Sequence, residues 1–524
     1  MRYTAPHPGG VDAHGTDDPR KRMSTNWLLT AAKLWRRWND SGKAPQASQS
    51  ALWGEISGLM AQSTYWAETV GSGVMPPLES MPITTFDDYA DALSYAYEHD
   101  TTSPLNGEPI ERWVKSSGTS RIKRFPWTES YMSRLYDAVT NTMPVVEFLA
   151  RNRGRPGHHL TVHGKTPTES SPTGIVEGFG SAFGHTEPDI YPPQSNSDAE
   201  SIRVWRPAYC LARDLHSIRT LSCEPLFVML ERFADDRAFY LRLISGEAST
   251  PDGWPTLEVA PERVAYLRRL LASDGPLALT ELWPNLRLLQ TWQASVCGEQ
   301  ARRITRNQPH VHLLDTAYNA TEGAVSNPID PSETGGPIFA DGMLHEFLEP
   351  GAAASPGNVL KAWDLEEGKD YEVLLTTQMG LVRYRLGDLV QCTGFWHRVP
   401  KLAFKRRASA EVSLGTATFG EDQLAVALNS VQLPTHVRAA FAPSADGRAL
   451  CLCTTAPIPQ RTVDAVQAAV ASGNDSYADT VTTAWTASLR HLVVPPAHPF
   501  WSSVRPRHDQ AKPRVLSHSA APEL

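Results

Sequence analysis

At 524 residues the chain is long enough for two or three domains with a large buried core, and 41% hydrophobic against 20% charged residues is ordinary for a globular protein. A formal net charge of -8 argues against a general nucleic-acid or membrane-surface binder, because both favour basic faces. No run approaches the roughly 18 apolar residues of a membrane span, the N-terminus lacks the apolar centre of a secretory signal, and the six cysteines include no CxxC pair, so a reduced, cytoplasmic protein is expected.

Residues 1–22 are rich in Pro, Gly, Asp and His without periodicity and read as a disordered leader, with Met23 as an alternative start. Apolar residues recur at helical spacing over Thr25 to Trp38 and Ala51 to Val70, so the fold proper begins with helices. An apolar segment, Ile110 to Val114, leads into the small-residue run Ser116-Ser117-Gly118-Thr119-Ser120, and a helix-like stretch, Thr128 to Val139, leads out. Through 200–320, helical patterns alternate with short apolar runs such as Leu286 to Trp292 and His310 to Asp315, which predicts parallel strands with crossover helices. From 336 to 395 the texture turns to β: Met343 to Leu348, Tyr371 to Thr377, and Leu381 to Cys392 around turn-like Gly380 and Gly387. A basic, small-residue segment at Lys405 to Ser409 marks a domain break. Beyond it, strands His436 to Phe441 and Ala449 to Thr454 precede a helix at Arg461 to Ala471, a small α/β unit in which Cys451 and Cys453 take alternate strand positions. The expectation is an α/β protein: a large N-terminal domain over 23–404, with mixed sheets, flanking helices and a β-rich part, then a smaller domain over 405–524.

Four segments carry chemistry. In Ser116 to Ser120, Gly frees the backbone to curl, the hydroxyls donate, and Arg121, Lys123 and Arg124 supply positive charge, which together suit a phosphate. Tyr318-Asn319-Ala320-Thr321-Glu322-Gly323 follows a predicted strand, at the sheet edge where α/β proteins bind ligands; the Tyr suits a purine, the Thr a phosphate and the Glu a magnesium ion. In Arg383-Tyr384-Arg385-Leu386-Gly387-Asp388, an Asp behind a Gly turn can accept from ribose hydroxyls. Asp509 to Arg514 sets Lys512 in a Pro-bounded loop, from which it can reach a developing charge. Taken alone each has a plainer explanation: a polar surface loop, a strand-to-helix turn capped by Thr321, a β-turn, a solvated basic tail. Gly164-Lys165-Thr166 fails as a Walker loop because position 159 is His rather than Gly, and the chain has neither a zinc-type His/Cys spacing nor a GxSxG elbow.

In their order and separations these segments resemble the acyl-adenylate-forming superfamily, and most closely its acyl acid amido synthetase branch, the Gretchen Hagen auxin-conjugating family and its bacterial relatives. SSGTS resembles the phosphate motif, Tyr318 to Gly323 the YxxTEG motif, Tyr384 to Asp388 the YRxGD motif, and Asp509 to Arg514 the C-terminal QYKxPR. Trp283-Pro284-Asn285-Leu286 is similar to the family's WPNL, and Glu346-Phe347 to its FEF. Departures are Arg121 where relatives carry Gly, Ala294-Ser295 where many have a Gly-rich turn, and Ala511 in place of Tyr. The resemblance implies ATP-dependent adenylation of a carboxylic acid and transfer of the acyl group to an amine, in particular an amino acid, with ATP and Mg²⁺ required. It implies that Ser116, Ser117, Gly118, Thr119, Ser120 and Lys123 hold phosphates, Thr321 the α-phosphate and Glu322 the Mg²⁺. It further implies that Tyr318 meets adenine, that Asp388 and Arg407 meet the ribose, and that Lys512 assists adenylation from a mobile C-terminal domain swinging about 405–409. Phe179 to His185 and Val204 to Tyr209 are the implied acyl pocket. Two alternatives are compatible with the same motifs: a ligase passing the adenylate to coenzyme A or a carrier thiol, and a non-catalytic acyl- or nucleotide-binding relative.

Overall fold

Three helices open the described part of the chain: residues 32–43, Pro45–Met60 and Thr64–Val70. This computed structural model describes residues 32–71, 73–115, 123–142, 145, 158–162, 207–220, 223–249, 256–273, 275, 277–407, 411–414, 417–434, 437–444, 449–474, 477, 487–504, 515–517 and 520–522. The expected single stretch from Ala51 to Val70 breaks after Met60 because Ser63 caps a new helix. Its Oγ accepts from the Trp66 amide at 2.9 Å and donates to the Pro104 carbonyl at 2.6 Å. Trp66 is fully buried, and its indole N–H reaches the Gly380 carbonyl at 2.9 Å, pinning the helical layer to the β-rich region. A fourth helix, Phe86–His99, starts at Thr85, whose amide donates to Asp88 at 2.7 Å in a capping box.

Strands β1 (Ile110–Lys115) and β2 (Arg124–Thr128) pair antiparallel as a hairpin, with Lys115 opposite Arg124. Helix Glu129–Thr140 follows directly. The predicted parallel sheet is present as β3 (His158–Val162), β4 (Leu215–Thr220), β5 (Leu288–Thr291) and β6 (His312–Leu314), neighbours in chain order. Helices between β4 and β5, and Ser295–Thr305 between β5 and β6, supply the crossovers that parallel pairing requires. Trp283, buried, donates its indole N–H to the Cys210 carbonyl at 3.1 Å, and Asn285 donates to Asp214 at 2.6 Å, which fixes the entry into β5.

After the parallel sheet comes a short hairpin, β7 (Tyr318–Asn319) with β8 (Ala324–Ser326). Then β9 (Gly336–Pro337), β10 (Leu344–Leu348), β11 (Leu360–Lys361), β12 (Asp370–Thr376), β13 (Tyr384–Trp396) and β14 (Val399–Arg407) form one antiparallel sheet in the order β11-β10-β12-β13-β14-β9. Gly380 lies in a turn, as read from sequence, with its amide donating to the Thr377 carbonyl at 2.9 Å. Gly387 does not: it lies inside β13. Glu372 faces Leu389 and Leu374 faces Arg385, so Leu386, Gly387 and Asp388 stand opposite Val373 alone. This is a β-bulge, and Gly387 takes the positive φ of 71° that such a kink needs.

The C-terminal unit carries hairpin β15 (Glu411–Leu414) with β16 (Ala417–Gly420), helix Glu421–Asn429, strands β17 (Ala439–Pro443), β18 (Ala449–Thr454) and β19 (Ala487–Val493), and helix Gln460–Ser472. It buries its own cluster, including Phe419, Leu424, Phe441, Leu452 and Val466. Cys451 and Cys453 take alternate positions of β18. Lys405 to Arg407, the start of the expected break, still belong to β14. Among the described residues no helix is long and apolar enough to cross a membrane.

Candidate active site

The hairpin after β6 is built as a buried turn. Ala320 donates to the Gly323 carbonyl at 2.9 Å and Gly323 donates back at 3.3 Å, so the chain reverses here instead of entering a helix. Thr321 is therefore a hairpin-tip residue and not a helix cap. It and Glu322 are 6% and 9% exposed, unusual for a turn and a sign that the tip is held by something other than solvent. The holding groups come from the segment that follows the phosphate-type loop. The indole of Trp127 donates to the Thr321 carbonyl at 3.1 Å, and the hydroxyl of Tyr131 donates to the same oxygen at 3.2 Å. Burial pushes the Tyr131 phenol far above its usual range, and the Glu322 carboxylate adds to that push. At the turn a Cβ on Gly323 would lie 2.7 Å from the Met343 sulfur and 3.0 Å from Leu375, so a larger residue there would have to displace the Met343 side chain.

From the other side, the bulge in β13 aims Asp388 at this hairpin. The Tyr318 hydroxyl donates to Asp388 Oδ2 at 2.7 Å, and Asp388 is 3% exposed. In the strand register Asp388 stands opposite Arg407. The Tyr318 ring is enclosed by Trp292, at 5.9 Å between centroids, and by Phe404, at 5.5 Å, edge-on in both cases. Next to these rings a cleft of about 440 Å³ opens between the sheet and helix Glu421–Asn429, lined by Gln293, Ala294, Phe404, Lys405 and Val426 among others.

The arginines of the same motif do something else. Arg383 is fully buried at a positive φ of 44° and forms a two-pronged pair with Glu346, at 2.8 and 2.9 Å. Its third nitrogen donates to the Glu79 and Met81 carbonyls, and Lys361 also reaches Glu346. Arg385 forks onto Glu372 at 2.6 and 2.7 Å. These pairs knit β13 to β10, β12 and the N-terminal layer. Lys123 reaches the start of β13: its ammonium is 3.4 Å from the Tyr384 hydroxyl and 5.4 Å from the Phe86 ring centre.

The structure thus brings Tyr318 and Asp388 into contact, sets Arg407 opposite Asp388, and ties Thr321 to the base of the β1–β2 hairpin. Ser116 to Ser120, Lys512, Phe179 to His185, Val204 to Arg206 and the 1–22 leader lie outside the described residues. Sequence reading missed Trp127, Tyr131 and Asp315. Trp127 and Tyr131 carried one signal, two large aromatics four apart just after a small-residue loop; Asp315 carried none. Among the described residues, no group of three or more His, Cys, Asp or Glu side chains converges as a metal cage.

Comparison with known proteins gives a consistent set of relatives. The GH3 family N-terminal domain matches residues 46–210 and the GH3 family central domain matches 336–407. GH3.10 of Oryza sativa subsp. japonica is 30% identical over 360 residues, covering 66% of this chain and 73% of its own length. The indole-3-acetic acid-amido synthetase GH3.4 of Arabidopsis thaliana is 29% identical over 449 residues, 76% of this chain and 73% of that protein. Alignments with two further plant relatives span 36% and 65% of those proteins, so this chain spans a third to two thirds of their length. In three dimensions the chain superposes on the AtGH3.15 acyl acid amido synthetase solved with 2,4-DB, with a TM-score of 0.78 at 16% identity, over 97% of this chain and 96% of the other.

Proposed function

This chain belongs to the GH3 family, and we propose that it is an ATP-dependent acyl acid amido synthetase, which adenylates a carboxylic acid and passes the acyl group to an amine, in particular an amino acid. The observation that carries this reading is the contact between two distant motifs: the Tyr318 hydroxyl on Asp388 at 2.7 Å. It supports a single nucleotide site with an aromatic face for adenine, a carboxylate for ribose hydroxyls beside Arg407, and a hairpin tip bearing Thr321 and Glu322 for phosphate. A carboxylate is a poor electrophile, and attaching AMP gives it a good leaving group. The chain's task is then to align the acid with the α-phosphate and to stabilise charge there.

The donor set fits magnesium that arrives with its nucleotide. Glu322 offers one hard carboxylate, and Mg²⁺ is commonly held by one or two carboxylates plus phosphate oxygens. When bound, the ion would neutralise phosphate charge, with Glu322 as its ligand from the protein. In this reading Ser116 to Ser120 and Lys123 cradle the outer phosphates, since their loop joins the two strands whose continuation clamps Thr321. We also assign residues 23–404 to a body that adenylates and 405–524 to a second domain carrying Lys512, with movement about 405–409 switching between half-reactions.

Incubation with ATP, Mg²⁺, hydroxylamine and a mixed carboxylic-acid library tests the proposal. An ATP-dependent hydroxamate with release of AMP is expected, and its mass identifies the acid. Replacing hydroxylamine by amino acids then yields an amide. No hydroxamate from any acid, with folded protein that binds ATP, would overturn the enzymatic reading, and a thioester formed in preference with coenzyme A would overturn the amide.

A further inference from the structure

Asp315 stands at the end of β6, 4% exposed, and its carboxylate accepts from three backbone amides. Oδ1 takes the Thr316 N–H at 2.8 Å and the Gln293 N–H at 2.9 Å, and Oδ2 takes the Gly335 N–H at 2.8 Å. Its own carbonyl accepts from the Gln290 side chain at 3.2 Å. The three donors belong to three different segments. Gln293 follows β5 and sits between Trp292, whose ring meets Tyr318, and Ala294, which packs in the same cluster as Tyr318. Thr316 begins the approach to Tyr318 itself. Gly335 is the turn before β9; its φ is +79°, and a Cβ there would lie 2.1 Å from the Leu402 carbonyl, so the turn is flush against β14, the strand that carries Phe404 and ends at Arg407.

We infer that Asp315 is a positioning residue for the nucleotide site, locking the Gln293–Ala294 wall, the approach to Tyr318 and the Gly335 turn into one body. The inference rests on the nucleotide reading for what occupies the space beside Tyr318. The chemistry requires a carboxylate. Two oxygens must accept on opposite sides, and charge-assisted bonds to amides are shorter and stronger than neutral ones. An Asn there would turn an NH₂ toward an N–H, leaving one or two buried amides without an acceptor.

The test compares the full chain with Asp315→Asn by hydrogen-exchange mass spectrometry, by titration with trinitrophenyl-ATP, and by pyrophosphate exchange. The expected result is lost protection confined to peptides containing 293, 316–323 and 335, at least tenfold weaker binding of the ATP analogue, a KM for ATP raised to match, and a KM for the acid within twofold of the parent. Unchanged exchange in those peptides overturns the inference. So does lost protection with unchanged nucleotide affinity, or a parallel rise in both KM values, which is the mark of diffuse damage. Should Asp315→Asn not fold, Asp315→Glu keeps the charge and displaces it by one methylene; the same confined loosening and the same split in KM are expected, and a wild-type profile overturns the inference. A parent protein that binds no nucleotide analogue, while Asp315→Asn still loosens only these segments, removes the nucleotide reading and leaves the anchoring of Tyr318 intact.

Discussion

In the parallel sheet the residues that reach the site come from turns beyond the strand ends, whereas in the antiparallel sheet the contributing carboxylate comes from the middle of a strand. Gln293 and Ala294 follow β5, and Tyr318 follows β6 as the first residue of the short β7–β8 hairpin. Their positions are set by side-chain bonds: Asp315 to three amides, and Trp127 and Tyr131 to the Thr321 carbonyl. Asp388 is presented by a bulge that costs β13 part of its pairing and needs Gly387 at a positive φ. There the compensation is a pair of forked ion pairs, Arg383 with Glu346 and Arg385 with Glu372. The strand-end side should lose function in graded steps as single hydrogen bonds are removed. The mid-strand side should lose function and stability together, because its geometry is a property of the sheet.

The largest effect is expected on the strand-end side, at the group assigned to the magnesium ion. Glu322→Ala should lower ATP-dependent hydroxamate formation by about 1,000-fold with an unchanged far-UV CD spectrum; near-normal activity would remove Glu322 from the site. Gly387→Ala tests the mid-strand side. No atom lies within 4 Å of the Cβ position, so the cost is backbone strain alone, about 1–2 kcal/mol in urea unfolding, and the misaimed Asp388 should cost about 100-fold in pyrophosphate exchange. Full activity with lost stability would show that the bulge does not aim the carboxylate. Tyr131→Phe removes one of two donors on the Thr321 carbonyl. About a tenfold loss of adenylation with about 1 kcal/mol of stability is expected, and a loss equal to that of Glu322→Ala would mean that Tyr131 does more than clamp.

The effect farthest from the proposed chemistry concerns pH. His345, in β10, is buried with Nε2 3.2 Å from the Ala324 carbonyl, and burial lowers its pKa to about 4. Its folded pKa lies below the unfolded value of about 6.5, so the unfolded chain gains a proton first as pH falls. Stability should therefore decline from about pH 6.5 and level off near pH 4, by about 3 kcal/mol in all. Urea midpoints across that window should fall less steeply in His345→Gln; an identical slope would assign the acid sensitivity to other groups.

Much of this architecture was legible from pattern. The parallel strands of 200–320, the β texture of 336–395 and the C-terminal α/β unit follow from apolar periodicity, which burial enforces locally. The turn at Tyr318 to Gly323 follows a strand as the sequence predicts, but a hairpin and a helix start share Thr-Glu-Gly chemistry, and what closes the turn is the reciprocal backbone pairing of Ala320 with Gly323. Gly387 looked like a turn because a bulge and a turn ask the same φ of glycine; the register that separates them involves β12, which sequence spacing does not report. The resemblance implied one nucleotide shared by Tyr318 and Asp388 but not their direct contact, since no local rule links residues of two different sheets. Asp315 was illegible for the same reason: its three partners are backbone amides, which leave no mark on side-chain identity.

A double-mutant cycle across the Tyr318–Asp388 contact tests most directly whether the two sheets build one nucleotide site. Tyr318→Phe, Asp388→Asn and the double variant would be compared with the parent by kcat/KM for ATP in pyrophosphate exchange. Residues in one hydrogen-bonded pair should couple by about 1 kcal/mol or more, so the double variant should be less impaired than the product of the single losses. Losses that simply multiply, with no coupling between the two positions, would contradict a shared site.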